Sequence, residues 1–270
     1  MKRHHLTPIA GGLCALLLSL TVPRAHAGDA EKKYETGPAA LNKIGKELHQ
    51  ALDAKKRALL RVQPVYVETM TTPCINPSVC HENGAASAAV QVSAGFVDLI
   101  NYLAHAKAID GTDRGFLRKY IVSLAQEAGD KPLPDVQTLA GTQGWDFDTL
   151  NHQVSNFNQM VGALVAIDMA HHYLGHYQKY AALLADSQGL PVPINTLLTP
   201  GEWRDAVVAG SRNALSCGLG VDGLNLLYET IDKMPARPAW TAYFLPEKIN
   251  VAKIKKELVK IEKDFFLAGN

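Results

Sequence analysis

The sequence predicts a mainly helical α+β fold in a single domain, with a small antiparallel sheet and a long central helix. Three observations carry that expectation. Apolar residues recur at helical spacing in Leu41, Ile44, Leu48 and Leu52, and again in Phe96, Leu99, Ile100 and Leu103. Two short segments, residues 65–70 and 85–92, have the extended pattern of strands. Residues 160–167 are apolar without interruption inside a helical stretch of about 148–185, as expected of a helix surrounded by protein.

The elements follow in order. A lysine- and glutamate-rich amphipathic helix over residues 38–60 ends before Pro64. Val65-Tyr66-Val67 opens the first strand, residues 73–80 read as a loop, and the second strand closes on Gln91-Val92. Ser93 is placed to cap a helix over 95–108 that stops at Asp110-Gly111. A further helix is expected over 113–128, then a loop with Pro132 and Pro134, then the central helix. After a loop carrying Pro191 and Pro193, Thr199-Pro200-Gly201-Glu202 combines an N-cap, a proline at the first helical position and a capping-box glutamate. The end of the chain, residues 248–266, reads as a solvated Lys/Glu-rich helix.

The first 27 residues read as a secretory leader. Lys2 and Arg3 form a positive start, residues 13–22 an apolar core, and Ala25-His26-Ala27 a small-x-small cleavage signal. That apolar run is shorter than the roughly 20 residues a spanning helix needs. Residues 28–270 are therefore expected as one exported domain, periplasmic or secreted, with no integral membrane segment. The chain has 27 basic and 26 acidic residues, and the leader removes only cations, so no phosphate-binding stripe remains and nucleic acid is excluded as a partner.

Beyond the leader the cysteines are Cys74, Cys80 and Cys217. In an oxidising compartment the first two are expected to close the 73–80 loop as a disulfide. Cys217 is left as a small buried hydrophobe or a soft metal ligand.

The residues that point to chemistry are Asp168, His171, His172 and His176. Side chains four apart stack along a helix, so Asp168, His172 and His176 are expected on one face with His171 beside them. A carboxylate in apolar surroundings costs several kcal/mol unless it is paired, protonated or bound to a cation. Two arrangements meet that requirement: a metal site, or a core in which Asp168 and the imidazoles satisfy one another.

The order of elements, the passage Val92-Ser93-Ala94-Gly95-Phe96-Val97-Asp98-Leu99 from strand into helix, the histidine pair on a long helix and the later Asp222 resemble the gluzincin metallopeptidases. Among them the CAAX prenyl protease and HtpX-like family, in a soluble exported form, is similar over roughly residues 41–245. The resemblance implies a metallopeptidase-like domain, zinc on His172 and His176, and a peptide or protein partner. In that family a glutamate follows the first histidine and activates a metal-bound water. Here Tyr173 stands in its place, and a phenol with a reference pKa of about 10 is a poor base. The third ligand position falls on Gly218, so Cys217 or Asp168 would have to substitute, with Glu202 and Glu229 as further candidates. The implied function is a peptidase-like protein impaired or inactive in hydrolysis. The alternative is an active zinc hydrolase with a rearranged third ligand and Asp168 or another carboxylate as base.

Overall fold

The computed structural model describes residues 34–82, 84–126, 133–141, 144–184 and 190–269. The leader lies outside them. The architecture is mainly helical α+β: ten helices and a three-stranded sheet among the described residues.

Helix α1 (Pro38–Ala51) and the single turn α2 (Ala54–Arg57) lead into β1 (Val65–Val67), β2 (Ile75–Glu82) and β3 (Ala85–Ser93). The sheet differs from expectation in two ways. Its order is β1-β3-β2, and β1 runs parallel to β3 with Val65 opposite Gln91, so the two segments foreseen as antiparallel partners pair the other way. The antiparallel partner of β3 is β2, the stretch expected to be a closed loop.

That second difference removes the disulfide. Cys74 and Cys80 lie along one extended chain, so their Cα atoms are about 20 Å apart, whereas a bridge requires about 7 Å or less. Both are free thiols, as is Cys217. Pro77 does not break β2, because Ser93 N–H donates to Cys74 O. The alternation of an antiparallel ladder then turns the nitrogen of Pro77 to the outer edge, where its missing proton costs nothing.

Ser93 joins the sheet to the helices. Its hydroxyl caps α3 (Ala94–Asp110) by accepting from Phe96 N–H, accepts also from Cys74 N–H, and donates to Thr72 O. The backbone of Thr71 lies so close to Gly95 that a Cβ there would sit 1.9 Å from its carbonyl oxygen. Helices α4 (Phe116–Gln126) and α5 (Val136–Ala140) follow, and then α6 (Phe147–Tyr173), of 27 residues.

Every residue of α6 from Met160 to His172 is buried. It is the axis of the core, enclosed by α1, α3, the sheet, α8 (Pro200–Ser216) and α9 (Asp222–Lys233). Small residues permit the approach: a Cβ at Gly210 of α8 would stand 2.6 Å from Ile167 N, and one at Gly223 of α9 would stand 2.5 Å from Met160 N. The helix α10 (Val251–Leu267) closes the far side of α8 and α9. No helix among the described residues is long and apolar enough to cross a membrane.

The segment before α1 is fixed by a buried polar network. Gln153 Nε2 donates to Thr36 Oγ1 and Asn101 Oδ1, and Asn101 Nδ2 donates to Thr36 O. His105 is satisfied on both nitrogens, by the Tyr34 hydroxyl and by Gly144 O.

Candidate functional site

The central helix ends earlier than its sequence pattern foresees. It stops at Tyr173, and a second helix, α7 (His176–Leu184), starts after Gly175. Gly175 has φ of 80°, a left-handed conformation that only glycine adopts without strain. Leu174 N–H closes on Ala170 O and Gly175 N–H on His172 O, so the helix is terminated by its own carbonyls. His176 therefore leaves the register, and the expected stack of Asp168, His172 and His176 on one helical face does not form. Because a Cβ at Gly175 would meet no atom within 4 Å, Gly175→Ala is expected to cost about 1 kcal/mol from backbone strain alone, read as a lowered urea midpoint with an unchanged slope.

The break brings His176 onto His171 instead. Their Nδ1 atoms are 3.0 Å apart, so one ring must present Nδ1–H and the other a bare Nδ1. Burial is the largest cause holding His171 neutral, and the facing His176 and adjacent His172 add to it; its pKa is pushed down to about 3. His176 is also lowered by burial, against the raising influence of Glu202 and Asp205.

His172 points to the sheet. Its Nε2–H donates to Ala89 O at 2.8 Å, leaving Nδ1 bare, and that atom is buried without a partner. The ring packs on Tyr177 with centroids 4.7 Å apart.

Asp168 belongs to a different neighbourhood. It is 5% exposed and makes no hydrogen bond or ion pair among the described residues, and burial alone pushes its carboxyl well above the usual carboxylate range. Its field is felt by Cys74 and Tyr228, whose own protons are held chiefly by burial, not by any of the three histidines. The expected Asp168–histidine pairing is absent.

The remaining candidates disperse. Cys217 caps α8 beside Glu47, and burial pushes its thiol up to about 11. Gly162 packs on Leu219, two residues past Cys217, and Gly162 lies about 15 Å along α6 from His172. Tyr173 turns toward the α1–α2 junction with Lys56 5.1 Å above its ring, and burial raises its phenol further, away from any role as base. Glu229 is paired with Lys233 and Lys255.

Glu202 performs its capping-box task and more. Its carboxylate accepts from Thr199 N–H and Oγ1, from Lys179 Nζ and from the Tyr180 hydroxyl, and Lys179 first and Thr199 second hold it down at about 2. It ties α7 to the start of α8.

These residues do not fit a catalytic zinc. Such a site needs three protein ligands converging on one point with a fourth position open. Among the described residues no group of three or more His, Cys, Asp or Glu is placed to hold a metal ion. His171 and His176 face each other through Nδ1 and His172 donates Nε2–H to the sheet, and their remaining nitrogens do not converge with an acid or a thiol on one point.

Two features were not foreseen. One is Ala89 O as the partner of His172, which no local signal announces because 83 residues separate them. The other is Asn213, buried on α8 with an amide nitrogen that has no partner. No protein-family model, curated protein or solved structure matches this chain.

Proposed function

We propose that this chain is an exported, peptidase-like binding protein without a hydrolytic step of its own, whose partner is a peptide or protein. The observation that supports it is the left-handed break at Gly175, which spends His176 on His171 and turns His172 to Ala89 O, away from a shared ligand point. The base position is occupied by Tyr173, a phenol facing another part of the molecule. Export rests on the leader signals of residues 1–27, and the peptidase-like frame on the resemblance in element order.

Elemental analysis of the purified protein, with a general protease assay on the parent and on Tyr173→Glu, tests the proposal. Transition metal well below stoichiometric and no cleavage by either form are expected. A near-stoichiometric metal together with cleavage gained by Tyr173→Glu would overturn it, because only a converging ligand set can use a restored base.

A further inference from the structure

The charges of α10 are mixed in sequence but separated in the fold. Its buried stripe of Val251, Ile254, Leu258 and Ile261 packs toward α8 and α9. The acids turn to the flanks of that stripe. Glu257 pairs with Arg204 of α8, and Glu262 lies beside Gly220, where a Cβ would stand 3.7 Å from its carboxylate. Lys255 turns the same way and pairs with Glu229 of α9.

The opposite face keeps the other cations. Lys253, Lys256, Lys260 and Lys263 are exposed there, recurring at three- and four-residue intervals over about 15 Å of helix. Asp264 is the one acid among the exposed residues of α10, and it is paired with Lys260. Lys253, Lys256 and Lys263 make no ion pair among the described residues. The near balance of charge over the whole chain conceals this stripe, because the fold turns the neighbouring acids away from it.

Apolar side chains stand among these lysines. Val259 is 57% exposed, Phe266 64% and Leu267 74%. Scattered single apolar residues are ordinary on a surface, but these three share one helix face with the four lysines. Ammonium groups beside exposed aromatic and aliphatic side chains are the pattern of a helix lying on a membrane surface. The cations meet lipid phosphates, the apolar groups enter the acyl boundary, and the lysine stems cover the apolar surface between them. An acidic protein surface would match the charge but would leave Phe266 and Leu267 without an apolar medium.

We infer that the outer face of α10 docks this protein on an anionic phospholipid surface, with Lys253, Lys256 and Lys263 on the headgroups and Phe266 and Leu267 in the acyl boundary. The contact goes beyond the binding-protein proposal and uses none of the three histidines.

Co-sedimentation of the full-length protein with lipid vesicles tests it. Vesicles of phosphatidylcholine with about one-third phosphatidylglycerol are the probe, and phosphatidylcholine alone is the control. Parent and variants share residues 1–27, so differences between them report α10. Binding to the anionic vesicles should be at least about tenfold tighter than to the control and should weaken as salt is raised. Lys256→Glu combined with Lys263→Glu should weaken it by about tenfold or more. Phe266→Ser combined with Leu267→Ser should also weaken it by about tenfold, with the salt dependence kept. All four positions are exposed, so the thermal midpoints should match the parent's.

No preference for anionic vesicles, or binding indifferent to the two lysine reversals, overturns the assignment. Loss in the lysine variant with full binding by the Phe266 and Leu267 variant would mean charge alone, as on an acidic protein, and overturns the lipid surface. Displacement from the vesicles by inorganic phosphate at constant ionic strength marks a site for a free anion and overturns it as well. None of these outcomes touches the metal and protease measurements above, so the two proposals fail separately.

Discussion

Asp168→Asn is expected to stabilise the protein by about 3 kcal/mol at pH 8, since an ion held in the interior without a partner costs several kcal/mol. Asp168 is buried on α6 and receives no hydrogen bond from the described residues, so no protein group there offsets its ionisation. The sign follows from its raised folded pKa. Below the unfolded value near 3.8 the neutral acid is present in both states and nothing is lost; as pH rises through the folded value, stability falls. The advantage of Asp168→Asn should accordingly be near zero at pH 3.5 and grow as pH rises. Urea denaturation of both forms at pH 3.5, 6 and 8 measures it. A variant no more stable than the parent at pH 8 would mean that the carboxylate has a compensating partner.

The histidine pair acts in the opposite direction. His171 has a folded pKa of about 3 against about 6.5 unfolded, so the unfolded chain binds the extra proton first as the solution is acidified. Its contribution is complete above pH 6.5 and is lost progressively between 6.5 and 3, roughly 5 kcal/mol in all. His171→Leu removes the proton-binding group and should flatten this acid limb, read as stability against pH over that window. His105 offers an internal contrast: it too is lowered by burial, but its bonds to Tyr34 and Gly144 O keep both nitrogens satisfied. An acid limb unchanged in His171→Leu would assign the loss to another group.

The two effects share one helix. Asp168 and His171 are less than one turn apart on α6, yet the first penalises the folded state in alkali and the second in acid, because burial opposes either charge. A core built for stability alone would carry leucine at both places.

Much of the fold was legible in the chain because its signals are local. Thr199, Pro200 and Glu202 are three neighbours whose caps and proline suit only a helix start, and the structure carries that capping box in full. Ser93 caps α3 as its place before an apolar period foretold. The continuous apolar run before Asp168 announced a helix enclosed on all sides, and α6 is enclosed from Met160 to His172.

The sheet was less legible. Pro77 and the two cysteines obscure Asn83-Gly84, the strongest short signal of a hairpin in that region. Gly84 has φ of 80° at the end of β2, in keeping with that signal. A proline within a run is compatible with an edge strand, and whether a strand lies at the edge depends on partners distant in sequence.

At the candidate site the sequence determined which groups are present, an acid and three imidazoles buried in or beside an apolar helix with a half-buried tyrosine next to them. It did not determine their company. Gly175 can continue a helix or end it, and the four-residue spacing of His172 and His176 has meaning only in the first case. Tertiary packing took the second. With α7 tied to Glu202 of α8 and His172 bonded to β3, the chain turns at Gly175 and joins His176 to His171. Helix caps and apolar periods are read from neighbours within about one turn; the partner of a buried polar side chain is chosen by elements packed against it from elsewhere in the chain, and only the folded structure brings those together.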